Sequence, residues 1–186
     1  ANSEGAETQQ TIYEAGGGIV ATAILGDEVQ HRSYPNSGGQ QGCAGWEYIL
    51  AMELPGNAER IASEAAALLT ADECPSDFHT TVILDGSQVA LQVHESCGHP
   101  AELDRVFGTE AGYAGTSFLT PEKLNTFRYG SEIVNLTADA VRPTGLGTFG
   151  WDDEGVAAST TPIVRDGIFV GYLMSRETAP LLGLTS

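Results

Sequence analysis

The segment His94-Glu95-Ser96-Cys97-Gly98-His99 gathers two of the chain's four histidines around a carboxylate. A His-Glu pair followed by a second His on one element is a common way to build a zinc hydrolase. Two neutral imidazoles hold the ion, and the adjacent carboxylate takes a proton from the water it activates. In the usual His-Glu-x-x-His spacing the two rings stand about 40° apart round a helix of 3.6 residues per turn. Here the histidines are five apart, about 140° on a regular helix, which aims the rings away from each other. The spacing works as a metal site only where the helix is widened or broken, and a single π-type turn with an i→i+5 bond would bring the rings back to one side. Gly98 lowers helix propensity and Pro100 disfavours helical dihedrals at His99, so the ladder is expected to break at the second His. The plainer alternative is a pair of polar histidines at a helix C-terminus. Glu95 divides the two readings, because a structural pair has no use for an acid beside its first member.

The other elements must position that segment. Ser87 to His99 is expected to be helical with Ser87 as its cap. Thr80 to Leu84, β-branched and closed by Asp85-Gly86, reads as the strand before it. Upstream, residues 8–33 alternate weakly between interrupting glycines and predict two or three strands. The Gly16-Gly17-Gly18 run has no Lys-Ser/Thr after it, and reads as a turn or bulge rather than a phosphate cradle. Tyr34 to Gly45 reads as a loop and Trp46 to Leu54 as a further strand. Pro55-Gly56-Asn57 opens a helix in which Ala58, Ile61, Ala62, Ala65, Leu68 and Leu69 fall at helical spacing. Asp72 to Asp77 breaks it and marks a domain boundary. Downstream, Ile133–Thr137, Val156–Val164 and Ile168–Leu173 read as strands, the last two joined at Arg165-Asp166-Gly167 by a hairpin. Thr178 to Leu182 begins a terminal helix. The fold class is α/β of the α+β kind: mixed, strand-rich domains with a few helices.

Composition excludes several function classes. With 41% apolar and 18% charged residues in 186, disorder is not the main state. The longest near-apolar stretch, Gly18 to Leu25, is far short of the roughly 18–20 residues a bilayer helix needs. Twenty-five acidic against eight basic residues give a net charge of −17, with Lys123 the only lysine. A field of that sign repels phosphate backbones, which argues against direct nucleic-acid binding. The three cysteines, Cys43, Cys74 and Cys97, are odd in number and lack a short metal-type spacing, which points to a reducing, cytoplasmic compartment. The chain starts at Ala1 without a basic n-region, so no signal peptide is expected. Asn135-Leu-Thr is a glycosylation sequon by pattern only.

Leu91 to Asp104, with its His-Glu-x-x-x-His core, its Gly before the second His and its downstream Glu102 and Asp104, resembles the metal segment of the TldD/PmbA family of metallopeptidases. The resemblance continues in order along the chain. Asn2-Ser3-Glu4-Gly5 is similar to the family's Asn-Ser-x-Gly, and Thr81–Asp85 to the strand leading into the metal helix. Asp152-Asp153-Glu154-Gly155-Val156 is similar to its acidic segment, and Asp166-Gly167-Ile168 to Gly171-Tyr172-Leu173 to its late hairpin. The family's metal-free paralogues lack the His-Glu-His segment, so the chain sides with the TldD branch.

The resemblance implies a zinc-dependent peptidase that cleaves extended or unfolded peptides in a closed chamber. It would work with a TldE/PmbA-like partner subunit or as a homodimer. His94 and His99 match the metal ligands and Glu95 the catalytic carboxylate. The family's third ligand is a Cys in its last third, beyond Ser186, so the chain is expected to be a middle fragment of a larger two-domain protein. Residues 1–75 would end the N-terminal α/β half, and 76–186 would begin the strand-rich catalytic domain. Pro100 departs from the family pattern. Within the chain, Cys97, Glu102, Asp104 and Asp153 are fallback ligands, none with a convincing spacing. Cys97 also reads as a small buried thiol. Glu102 and Asp104 are candidates to orient the ligand imidazoles from behind. The Asp152-Asp153-Glu154 run reads equally as metal-binding or cleft-lining acids and as a turn. His31, His79, Cys43 and Cys74 are expected to be structural or surface residues. The competing function is a non-catalytic peptide-binding or assembly module in which both His are structural.

Overall fold

The computed structural model describes residues 1–77 and 79–185. The chain divides into two compact units, residues 11–87 with 144–146, and residues 1–10, 88–143 and 147–186.

The first unit is built on a hairpin. Strand β2 (Ile19–Leu25) pairs antiparallel with β3 (Glu28–Tyr34) from Ile19↔Tyr34 to Leu25↔Glu28. Along β2 the half-buried Ile19, Ala21 and Ala23 alternate with the exposed Val20, Thr22 and Ile24, the pattern of a sheet with one covered face. Helix α2 (Leu54–Leu68) packs against β2 and β3 and buries Ile61 and Ala65, one turn apart. Arg32 on β3 and Arg60 on α2 both reach the Glu64 carboxylate, at 2.8 and 2.7 Å, and hold it below its ordinary range. Strands β1 (Ala15–Gly17) and β4 (Gln40–Gly42) form a second small ladder. A side chain on Gly18 would place its Cβ 2.2 Å from Gly38 O. Gly18, between β1 and β2, therefore serves close backbone approach, while Gly16 and Gly17 pair in the β1–β4 ladder rather than form the expected turn or bulge.

Three further expectations fail here. The Tyr34–Gly45 loop contains β4 and a 3-10 turn at Asn36–Gly38. Trp46–Ala51 is helix α1, not a strand. A short apolar run carries no period of its own, and the Glu47 carboxylate settles it by accepting the Gly45 N–H at 2.7 Å at the helix start. Thr80–Leu84 joins no ladder among the described residues, and Ile83 is 98% exposed. β-Branched residues favour a pleated surface only where a neighbouring strand supplies one.

The second unit holds a three-stranded antiparallel sheet in the order β5 (Leu136–Asp139), β6 (Thr160–Arg165), β7 (Ile168–Phe169). The expected hairpin is present. Asp166 and Gly167 both take positive φ, 49° and 76°, as a two-residue turn between twisted strands requires. The strands are shorter than expected because other partners claim their backbone. Val156 donates to the Asp152 carboxylate at 2.8 Å and accepts from Asp152 N at 2.9 Å, so it cannot extend β6. Leu173 leaves β7's course to exchange bonds with Ala101 O at 2.8 Å and Leu103 N at 2.9 Å. The expected terminal helix is a single 3-10 turn, Ala179–Leu182, closed by Gly183 at φ 68°.

The core of this unit is Ala101, Leu103, Leu119, Ile163, Val164, Phe169 and Tyr172. Phe169 and Tyr172 meet edge to face at 4.9 Å, and the Tyr172 hydroxyl donates to Leu119 O at 2.6 Å. Ala101 and Leu103 follow His99 within four residues, so the core anchors the end of the histidine segment directly. Among the described residues no helix is long and apolar enough to cross a membrane.

Candidate metal centre

Helix α3 (Gly86–Val93) delivers the segment. Its cap is Asp85 rather than Ser87: the Asp85 carboxylate accepts the Ser87 N–H at 3.0 Å and the Ser87 hydroxyl at 2.6 Å. At His94 the helix widens. Residues His94–Gly98 form one π turn, and the His99 N–H donates to His94 O, the i→i+5 bond that the spacing demands. The two imidazoles consequently meet, with ring centroids 4.4 Å apart and planes at 88°. Ligand atoms of His94, Glu95 and His99 all lie within 4.8 Å of one another.

The ladder does not break at His99, as Pro100 suggested. His99 keeps helical dihedrals (φ −57°, ψ −42°), and a 3-10 turn runs on over His99–Ala101. The break comes at Glu102, with ψ at 117°. Proline explains where the register changes. A π turn carried one residue further would need a Pro100 N–H for Glu95 O, and proline has none. The chain therefore tightens, with Pro100 in the first turn of the new register, where a missing donor costs least.

His94 and Glu95 are open to solvent, with side chains 60% and 64% exposed, while His99 is more enclosed at 35%. Behind His99 stands Glu102. Its two carboxylate oxygens lie 3.1 and 3.0 Å from His99 Nδ1, closer than the 3.4 Å of Arg105 Nη2, and since a carboxylate only accepts, they favour the Nδ1–H tautomer, with Nε2 as the acceptor. Arg105 fixes that carboxylate in turn. Its Nε donates to Glu102 at 3.1 Å and its Nη1 to Ala114 O at 3.2 Å, and its Nη2 lies 2.9 Å from Glu110. Arg105 escaped the sequence reading, although its i,i+3 offset from Glu102 is a readable pairing signal.

The remaining candidates separate clearly. Cys97 is buried and its thiol donates to the Tyr129 hydroxyl at 2.8 Å, so it is engaged away from the histidines. Burial raises its pKa above the ordinary thiol value. Asp104 lines a cleft of 540 Å3 together with His99, Glu102, Asp152 and Glu154. Asp153 is exposed and is not among the residues lining that cleft. The acidic run is a turn: Asp152 accepts the N–H groups of Glu154 at 2.9 Å and Val156 at 2.8 Å. That turn is met by the chain's start. Asn2 Nδ2 donates to Glu154 O at 3.4 Å, and Arg176 binds Glu4 by its guanidinium and Glu154 by its N–H. His31 is paired across the hairpin with Thr22 at 2.9 Å, and His79 and Cys74 are exposed.

Comparison with known proteins agrees with this geometry. Residues 78–186 match the family model described as the PmbA/TldA metallopeptidase C-terminal domain. A metalloprotease of Methanothermobacter thermautotrophicus is 31% identical over 192 residues, covering 98% of the chain and 37% of that protein. A metalloprotease of Synechocystis is 40% identical over 102 residues, covering 55% of the chain and 20% of that protein. The chain thus spans well under half of these relatives. Among solved structures, a candidate modulator of DNA gyrase from Bacteroides thetaiotaomicron superposes with a TM-score of 0.66 at 14% identity, over 98% of the chain and 38% of its own. TldE from Thermococcus kodakarensis gives 0.51 at 18%, over 89% and 34%. At such identities the structural likeness speaks for the fold alone. The family model covers more than half of the chain, and the chain belongs to the PmbA/TldD metallopeptidase family.

Proposed function

We propose that this chain carries the metal-binding turn of a zinc peptidase of the TldD branch. The single observation that supports it best is the π turn, which converts a five-residue spacing into two facing imidazoles with a carboxylate beside them. The donor set suits zinc: imidazole nitrogens and a carboxylate, with one ring's tautomer already favoured by Glu102. His94 and His99 are the ligands, His99 through Nε2. A third protein ligand, a Cys by family resemblance, comes from outside these residues. When bound, zinc supplies a Lewis acid that makes water nucleophilic at neutral pH. Glu95, exposed and next to the first ligand, accepts the proton of the attacking water and hands it to the departing amine. Glu102 holds His99 in its tautomer, and Asp104 lines the cleft that opens beside it.

On this reading residues 1–75 end an N-terminal half and 76–186 open the catalytic domain. The whole protein hydrolyses extended or unfolded peptides in the cytoplasm, paired with a TldE/PmbA-like subunit or with itself. The test is Glu95→Gln in the full-length protein. Zinc content stays near wild type while peptide cleavage falls by at least about 10²-fold, the usual contribution of a general base. Cleavage retained within a few-fold removes Glu95 from that role.

A further inference from the structure

We infer that Tyr129 is a positioning residue for the histidine turn: its hydroxyl bonds two consecutive residues of that turn, Ser96 and Cys97, and so pins the π register that faces the two imidazoles together. The turn itself is argued from backbone geometry alone. Its bearing on metal rests on the proposed function above.

In a regular helix Ser96 O receives the N–H of the residue four further on. That residue is Pro100, which has no N–H. The neighbouring donors are spent elsewhere: His99 N on His94 O, Glu102 N on His99 O, and Ala101 N in the 3-10 turn that starts from Gly98. Ser96 O therefore stands without a helical donor at the point where the ladder passes from π to 3-10. Water could satisfy it, Ser96 being exposed, but water would not fix its direction. The Tyr129 hydroxyl donates to Ser96 O and accepts from the Cys97 thiol, at 2.8 Å in the second case. A phenol has one proton to give, and here it goes to Ser96 O, while its oxygen holds the next residue of the same turn.

Tyr129 is itself firmly mounted. Its N–H donates to Gly167 O at 2.8 Å, in the turn of the β6–β7 hairpin. Its ring stacks on Phe118 at 6.4 Å and meets Phe127 edge-on at 6.2 Å. The hydroxyl thus carries the position of the sheet, thirty-three residues away in sequence, to the middle of the turn. The i→i+5 bond from His99 N is the feature it protects.

Tyr129→Phe keeps the ring and removes only the hydroxyl. In the metal-free full-length protein, the His99 amide of the variant should exchange at least about tenfold faster while the β6 amides keep their wild-type rates. Its cobalt(II) affinity should fall about tenfold, with altered visible absorption bands, as expected when an outer partner of a metal site is lost. Cys97→Ala removes the thiol's bond but leaves the Ser96 bond in place, and should raise His99 exchange by less than Tyr129→Phe does. Unchanged His99 exchange in Tyr129→Phe, or acceleration spread evenly through the unit, overturns the inference. A wild-type protein that binds no cobalt overturns the metal reading instead, and the exchange measurement still decides the role of Tyr129.

Discussion

Replacing Glu102 by Gln separates a carboxylate that orients a ligand from one that merely lies near it. The Glu102 carboxylate serves two donors at once, His99 Nδ1 at 3.0 Å and Arg105 Nε at 3.1 Å. Gln keeps the shape but has one acceptor oxygen. Whichever donor it serves, its amide N–H groups face the other, and His99 loses the bias toward its Nδ1–H tautomer. A hydrogen bond to a charged group contributes roughly 1.5–3 kcal/mol when well buried. The Glu102 side chain is 32% exposed, so the lower end, about 1.5 kcal/mol, is the working figure. Since 1.4 kcal/mol is a factor of ten, zinc should bind the variant about tenfold more weakly. The assay is competition against a chromophoric chelator with full-length protein at neutral pH, alongside peptide cleavage at limiting and saturating zinc. Cleavage should fall at limiting zinc and recover most of its rate at saturation. A zinc affinity within twofold of wild type would show that the His99–Glu102 contact does not prepare the ligand. A rate that saturating zinc cannot restore would place Glu102 in the chemistry rather than behind it.

Two further expectations concern the scaffold. Gly167→Ala should cost about 3 kcal/mol or more, read as a lowered urea midpoint: positive φ alone costs a non-glycine residue about 1–2 kcal/mol, and the new Cβ would stand 2.4 Å from Ser131 O, a backbone atom that cannot step aside. Gly183→Ala, at φ 68° with nothing within 4 Å, should show the conformational part only. The second concerns alkali. Burial, with a smaller contribution from Glu122, raises the Tyr172 pKa from 10 to about 12. A raised folded-state pKa stabilises the fold fully below pH 10 and is lost as pH climbs to about 12, at up to about 1.4 kcal/mol per pH unit. Tyr172→Phe should flatten that segment of a stability-versus-pH curve followed by circular dichroism, and an unchanged slope would remove Tyr172 as its source.

What was legible in the sequence had a local cause. The Arg165-Asp166-Gly167 hairpin was legible because its turn demands positive φ at two successive residues, which Asp-Gly supplies. Helix α2 was legible because an apolar stripe holds its period for fifteen residues. The need for a π turn followed from arithmetic on two histidines. What misled was short and depended on distant partners. Trp46–Ala51 became helix, and Val156 was withheld from β6 by an Asp152 turn. The β-branched run at Thr80–Leu84 found no ladder among the described residues. Tyr129 carried no signal at all, since nothing in its neighbours announces a bond to residue 96.

The error at Pro100 teaches most about how this site is made. Proline was read as a stop, because in isolation it disfavours helix at the residue before it. In the structure His99 stays helical, and the missing N–H decides which register the helix takes there. The missing N–H ends the π turn at His99. It leaves Ser96 O to a tyrosine from elsewhere in the unit, and hands the chain to Ala101 and Leu103, which the core holds. Gly98 and Pro100 thus act on the same turn in different ways. Gly98 adds no side chain to the widened turn, with only Val93 O near the position a Cβ would take, at 3.9 Å. Pro100 limits the widening to one turn. A regular helix would never bring the second ring round.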